Sequence, residues 1–285
     1  MTIISAGSSS SGNSYIIISG SRTIILDAGL PAKKITAALE HLGTDPADVD
    51  AVLITHEHID HVRSVRALSR KCCSALFVAS RGTVEGAENF CHVPEERLRT
   101  VAAGDSFLLS GQGDSPHGQS FTEEDIRITA FSLSHDAAEP LGFTVEAGGE
   151  KLAVVTDTGV ITDEIYEAIN DSDLLVFEAN HDEQMLMFGE YPYHVKVRIK
   201  SDRGHLSNDY AGGVLARILE ERKSGRPPLR IMLAHLSFHN NIPLFARQTV
   251  EDILYKNGFI KGEDYLLDVA AKEGLTFMPE EGKEH

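Results

Sequence analysis

The stretch Thr55-His56-Glu57-His58-Ile59-Asp60-His61 decides the fold. It follows the apolar run Ala51-Val52-Leu53-Ile54, which reads as a short buried strand. It precedes residues 62–70, where apolar and basic side chains recur at helical spacing. Histidines and an aspartate therefore sit on a strand-to-helix turn, where side chains can converge on one point. Neutral imidazole and carboxylate are ligands that borderline divalent ions such as Zn²⁺ take. In His56-x-His58 both rings can lie on one side of an extended backbone and grip one ion. Asp60 and His61 turn with the chain and suit a second ion nearby. The plain alternative is a histidine-rich surface turn, and the compact spacing directly after a strand argues against it. We therefore expect a two-metal hydrolase.

Working outward, other strand-like runs end on the same residue types. Residues 126–132 alternate as a strand and deliver Ser134-His135-Asp136. Residues 141–146, the turn Gly148-Gly149 and residues 151–155 form a hairpin that delivers Thr156-Asp157. Leu174-Leu175-Val176-Phe177 runs into Glu178-Ala179-Asn180-His181, and residues 229–233 end at Ala234-His235. A catalytic centre built from strand ends at one edge of a sheet is the usual logic of α/β enzymes.

The remaining chain supplies the frame. Ile3-Ile4, Tyr15-Ile16-Ile17-Ile18 and Thr23-Ile24-Ile25-Leu26 read as strands, the last ending at Asp27-Ala28-Gly29. Gly7-Ser8-Ser9-Ser10-Ser11-Gly12-Asn13-Ser14 is a small-residue loop. It is either a flexible turn or a set of amides and hydroxyls facing an anion. Helical spacing is expected over residues 31–42, 81–89, 209–223 and 243–256, and strands near residues 265–267 and 275–277. Residues 104–122, rich in Gly, Ser and Asp, are expected to form a mobile loop holding His117 in solvent. Residues 191–205 carry Lys196, Arg198, Lys200 and Arg203. Lys196 and Arg198 alternate with Val195 and Val197, which in an extended strand would put the charges on one face.

At 285 residues the chain suits one α/β domain over residues 1–285, with no linker marking a boundary. No run is long enough to span a bilayer, and the N-terminus shows no signal-like segment, so a cytoplasmic protein is expected. Cys72, Cys73 and Cys91 form neither a disulfide framework nor a Cys-x-x-Cys zinc site. The formal charge of −17 opposes a polyanionic substrate, although binding depends on a local patch. Much of the acid is peripheral, in Glu123-Glu124-Asp125, Glu220-Glu221 and the C-terminal tail.

Together these residues resemble the metallo-β-lactamase superfamily, whose fold is an αββα four-layer sandwich of two mixed β-sheets flanked by helices. Its His-x-His-x-Asp-His signature matches His56, His58, Asp60 and His61, its next histidine His135, its bridging aspartate Asp157 and its last histidine His235. The resemblance implies one ion held by His56, His58 and His135, another by Asp60, His61 and His235, and Asp157 between them. Within the superfamily the chain is similar to the YycJ/WalJ group, relatives of ribonuclease Z and ribonuclease J. That similarity lies in Gly7 to Ser14, Leu26-Asp27-Ala28-Gly29, Ser134-His135-Asp136-Ala137, Glu178-Ala179-Asn180-His181-Asp182, Tyr191-Pro192 and Gly204-His205-Leu206-Ser207-Asn208. It implies a 5′-to-3′ DNA exonuclease. The interval from Asp157 to His235 is too short for the inserted domain of the β-CASP nucleases.

Two cations roughly 3.5–4 Å apart would activate a water between them. Asp60 would orient that water and take its proton. His205 resembles the histidine that contacts the scissile phosphate in ribonuclease Z relatives; otherwise it simply precedes a helix capped by Ser207 or Asn208. Lys196 and Arg198 are expected to bind the substrate, and Asn180 and His181 to bind it or to orient ligands. The metals could be Zn²⁺, Mn²⁺ or Fe²⁺. The competing function is a small-molecule hydrolase of the same fold, acting on a thioester, lactone or cyclic phosphodiester. The basic stretch favours nucleic acid, and the acidic net charge favours the small molecule. Oligomeric state is not legible.

Overall fold

The computed structural model describes residues 1–109, 125–223 and 225–280. Most of the expected 104–122 loop, with His117, lies outside them. Within that range the chain opens with an antiparallel meander, β1 (Thr2–Ser9), β2 (Gly12–Ser19) and β3 (Arg22–Leu26). Parallel β4 (Ala51–Leu53), β5 (Leu76–Ala79) and β6 (Leu98–Thr100) extend it. A second meander, β7 (Ser106–Leu109), β8 (Ile126–Ser132), β9 (Leu141–Ala147) and β10 (Glu150–Val155), is likewise extended by parallel β11 (Leu174–Glu178), β12 (Leu229–Ala234) and β13 (Tyr265–Val269). Short β14 (Thr276–Phe277) returns to the first sheet beside β1. Among the described residues each sheet has seven strands. Both sheets thus run from antiparallel hairpins to parallel strands, a structural repeat that no sequence similarity between the halves announced.

Helices cover the outer faces: α1 (Ala32–His41), α2 (Ile59–Val62), α3 (Val65–Lys71) and α4 (Arg81–Gly86) on the first half. On the second half lie α5 (Asp163–Ile169), α6 (Glu183–Phe188), α7 (Tyr193–Ile199), α8 (Asn208–Glu221) and α9 (Pro243–Lys256). Strand alternation splits the core accordingly. Ile17, Ile24, Leu53 and Val78 meet Phe143, Val145, Leu152 and Val176 between the sheets. Ile16, Ile25, Val52 and Phe77 pack outward with Ile35, Leu39, Val65 and Leu68. Phe177, Ile231 and Leu233 pack outward beneath Leu215, Ile218 and Val250 of α8 and α9. The result is an αββα sandwich. Among the described residues no helix is long and apolar enough to cross a membrane.

Three expectations need correction. The serine-rich stretch is no open loop: β1 and β2 run through it to a tight turn that leaves only Ser10 and Ser11 exposed. The Ser8 hydroxyl is spent inside the fold. Ser8 Oγ donates to Asn13 Oδ1 at 2.9 Å and accepts the backbone N–H of His235 at 2.8 Å. Residues 106–109, expected in a mobile loop, are β7. Lys196 and Arg198 lie on α7 rather than on a strand. Pro192 caps that helix, and Lys196 Nζ donates to the carbonyls of Met187 and Gly189 at 2.8 and 2.7 Å, which fastens it to the end of α6.

Candidate metal centre

The ligand-type residues all follow strand ends at one edge of the two sheets. His56 and His58 lie after β4, His135 after β8, Asp157 after β10 and His235 after β12. Asp60 and His61 form the first turn of α2. Asp27, Asp157 and His235 take left-handed backbone angles, with φ of 63°, 59° and 55°. Such angles are uncommon outside glycine and cluster where a fold aims functional side chains. Here each follows a strand end, and its side chain meets another member of the cluster.

The side chains converge. Ring nitrogens of His56, His58 and His135 lie within 4.8 Å of one another, as do ligand atoms of Asp60, His61 and His235. Asp157 joins both neighbourhoods: its Oδ2 is 3.2 Å from His61 Nε2, and its Oδ1 is 3.4 Å from His235 Nε2 and 3.8 Å from His135 Nε2. Asp60 Oδ2 is 3.5 Å from His61 Nε2 and 3.6 Å from His235 Nε2.

What lies behind the rings decides which nitrogen faces the centre. His61 Nδ1 donates to Asp27 Oδ2 at 2.7 Å, and His135 Nδ1 to the Gly204 carbonyl at 3.2 Å. His235 Nδ1 donates to Glu178 Oε1 at 2.9 Å. His56 Nδ1 donates to Thr55 Oγ1 at 3.0 Å, whose own proton goes to Asp27. Carboxylates and carbonyls only accept, so each Nδ1 carries a proton and Nε2 is the nitrogen that faces the centre, free to offer a lone pair to a cation. His56 Nε2, His235 Nε2 and Asp157 Oδ2 are buried there without a hydrogen-bond partner. Buried polar atoms are rarely left so, and lone pairs converging on lone pairs suit a divalent cation. The residues present fit the implied ions.

The charge balance points the same way. Burial opposes a proton on His61, yet Asp27, Asp157 and Asp60 outweigh it and hold its pKa well above the ordinary imidazole value. Burial likewise opposes charge on His235, but Asp157, Asp60 and Glu178 lift it to about 10. His56, with burial and the neighbouring His61 both against its charge, is pushed well down. The carboxylates respond in kind. Burial would raise Glu178, yet His205 and His235 bring it down to about 2. This pocket demands positive charge at its centre.

The other expected residues fall around this cluster. His205 precedes α8, where Ser207 is the N-cap and accepts the Tyr210 N–H. Its Nδ1 donates to Glu178 Oε1 at 2.8 Å, and its ring lies 5.1 Å from that of His135 and 5.3 Å from that of His235. Asn180 is buried and donates to the His235 carbonyl at 2.9 Å, so it holds the loop that carries that ring. His181 is buried with Nδ1 unpartnered, and burial lowers its pKa to about 4. Arg198, half exposed, pairs with Asp136 Oδ2 at 2.5 Å, beside His135. No local pattern pointed to the roles of Asp27 or Glu57. Glu57 Oε1 accepts the Ala138 N–H at 2.8 Å and ties the signature turn to the His135 loop.

Residues 22–224 match the Beta-lactamase superfamily domain. The chain belongs to the metallo-β-lactamase superfamily. Its similarity to exodeoxyribonuclease YycJ of Bacillus anthracis is 33% identity over 258 residues, 90% of each chain. To exodeoxyribonuclease WalJ of Streptococcus pneumoniae serotype 2 it is 34% over 273 residues, 96% of this chain and 95% of that one. These similarities place it in the YycJ/WalJ group of the superfamily. Among solved structures, the metallo-β-lactamase fold protein YhfI from Bacillus subtilis matches with a TM-score of 0.65 over 97% of this chain and 100% of that chain, at 14% identity. That likeness is one of fold. As a metallo-β-lactamase-fold protein with these His/Asp clusters, the chain is a metal-dependent hydrolase.

Proposed function

We propose that this chain is a two-metal phosphodiesterase that degrades DNA as a 5′-to-3′ exonuclease. His56, His58 and His135 would hold one ion, Asp60, His61 and His235 the other, and Asp157 both; Zn²⁺ and Mn²⁺ suit this donor set, as does Fe²⁺. When bound, the ions supply an activated water and Lewis acidity at the phosphate. The observation that carries the proposal is the placement of His205. Its ring lies beside those of His135 and His235. It stands outside the two ligand sets just given, although its ligand atom also lies within reach of Asp157, Glu178 and His235. Its Nδ1 is fixed by Glu178, which leaves Nε2 for a substrate.

Asp60 orients the attacking water and accepts its proton; burial opposes its charge, but His61 and His235 outweigh that and keep it ionised. The water oxygen bonds to phosphorus and the bond to the 3′ oxygen of the terminal nucleotide breaks. His205 gives that oxygen its proton, releasing a 5′-nucleotide. The names of the relatives at 33% and 34% identity support DNA as the substrate. We place the enzyme in the cytoplasm, where the free thiols of Cys72, Cys73 and Cys91 stay reduced.

A second function, hydrolysis of a small phosphodiester, thioester or lactone, is favoured by one observation. Arg198 is neutralised by Asp136 and Lys196 is turned onto backbone carbonyls, so neither is a free cation for a phosphate chain. Metal-reconstituted protein assayed on 5′-phosphorylated duplex DNA, single-stranded RNA and a nitrophenyl phosphodiester decides between the two. Nucleotide release from the DNA 5′ end is expected. Activity confined to the small ester would overturn the DNA assignment.

A further inference from the structure

The loop that follows β8 brings a second carboxylate close to the metal centre. Asp136 Oδ1 lies 3.3 Å from His135 Nε2. His58 Nδ1 lies 3.3 Å from the same nitrogen. Two atoms bound to one divalent ion, at bonds of about 2.1 Å and angles of roughly 90–110°, stand roughly 3.0–3.4 Å apart. Asp136 is thus one ligand spacing from a candidate ligand, and a carboxylate is itself a ligand for such ions. Yet among the described residues it joins none of the groups whose ligand atoms all lie within 4.8 Å of one another.

Its other oxygen is engaged elsewhere. Arg198 Nε donates to Asp136 Oδ2 at 2.5 Å, with 55% of the arginine side chain and 32% of the aspartate side chain exposed. A pair this open to water adds little to stability. The loop backbone is held by other groups. Arg203 Nε donates to the His135 carbonyl at 3.0 Å, and Glu57 Oε1 accepts the Ala138 N–H at 2.8 Å. The His135 ring is fixed through Nδ1 by the Gly204 carbonyl at 3.2 Å. Backbone and ring are therefore set without Arg198. What the guanidinium adds is the direction of the Asp136 carboxylate.

We propose that Arg198 is a positioning residue: it holds the Asp136 carboxylate off the ion that His56, His58 and His135 would take, and keeps a coordination position open there for water or substrate. Catalytic metal sites differ from structural ones in that open position. A further carboxylate would close it, tightening the ion while slowing turnover. The inference rests on the two-metal function proposed above and adds what keeps that site open. It also gives the arginine a task other than gripping phosphate.

The test measures Zn²⁺ affinity by chelator competition, the visible absorption of the Co²⁺-loaded protein, and kcat and KM on 5′-phosphorylated duplex DNA. The proteins are wild type, Arg198→Ala, Arg198→Lys, Asp136→Ala and the double variant Arg198→Ala/Asp136→Ala. Arg198→Ala should bind metal roughly 10- to 100-fold more tightly, the scale on which groups around a ligand shift affinity, and lose kcat. Its Co²⁺ absorption should weaken, because an added ligand brings the ion closer to a centrosymmetric octahedral field. Arg198→Lys, which keeps a cation for Asp136, should behave as wild type. Removing a positive charge also tightens a nearby cation by charge alone, and the double variant separates the two effects. With Asp136 gone, the arginine substitution should leave the spectrum unchanged and shift affinity far less. An equal tightening without Asp136 would overturn the proposal. So would Arg198→Ala with unchanged affinity and spectrum and only a raised KM, the result expected of a phosphate contact. A wild type that takes up no metal would instead overturn the two-metal function itself.

Discussion

Glu178 Oε1 lies 2.9 Å from His235 Nδ1, with both side chains buried. The same oxygen accepts Nδ1–H of His205 at 2.8 Å, while Oε2 accepts the N–H of Thr158 at 3.0 Å and of Leu206 at 3.3 Å. One carboxylate thus orients a candidate ligand and the candidate acid, and joins the loops that bear them. Glu178→Gln keeps the shape but loses the charge that fixes both rings. Metal affinity should fall roughly 10- to 100-fold, measured by chelator competition. Unchanged affinity would leave Glu178 as a loop brace only.

Asp157 faces both neighbourhoods, whereas His58 faces one. Elemental analysis of purified Asp157→Ala should show loss at both positions, and of His58→Ala chiefly at one. An Asp157→Ala protein that kept one full equivalent of metal and full activity would show that the aspartate does not serve both.

His205→Ala should retain both metals and lose roughly 10²–10⁴-fold in kcat on DNA, the usual contribution of general acid catalysis. A nitrophenyl phosphodiester, whose leaving group needs little protonation, should suffer far less. Equal losses on the two substrates would assign His205 to orienting the phosphate. Loss of metal would make it a ligand.

Gly29 tests how tightly the segment after Leu26 is laid against the signature turn. Its N–H donates to the Asn13 carbonyl at 2.9 Å, and a Cβ built there would sit 1.5 Å from the Asp60 carbonyl oxygen. No side-chain movement relieves a clash with backbone. Gly29→Ala should cost about 1–3 kcal/mol or more in urea unfolding and displace Asp60 from its position. Wild-type stability together with wild-type metal affinity would show that the turn can yield.

The site was legible to different depths for physical reasons. His56, His58, Asp60, His61, His135, Asp157 and His235 stood out because each follows a short apolar run, and a strand end aims its next residues at the sheet edge. Asp27 and Glu178 could be noticed but not given partners. Their bonds to His61 and His235 cross 34 and 57 residues, which no local pattern encodes. The alternation Val195-Lys196-Val197-Arg198 suggested a strand over too few residues to separate period 2 from period 3.6. What settled it was the cap at Pro192 and the carbonyls of α6 that receive Lys196.

By itself, then, the sequence determined most of the strands, the candidate ligand residues and their positions at strand ends, because these follow from local hydrophobic periodicity and side-chain chemistry; α7 and β7 it misassigned. Only the tertiary structure decided which nitrogen of each histidine faces inward, and that Arg198 is spent on Asp136. It alone showed that the serine-rich turn braces His235 and that Asp136 stands beside His135 Nε2. Those facts depend on contacts between segments far apart in the chain, and such contacts exist only once the two sheets have packed.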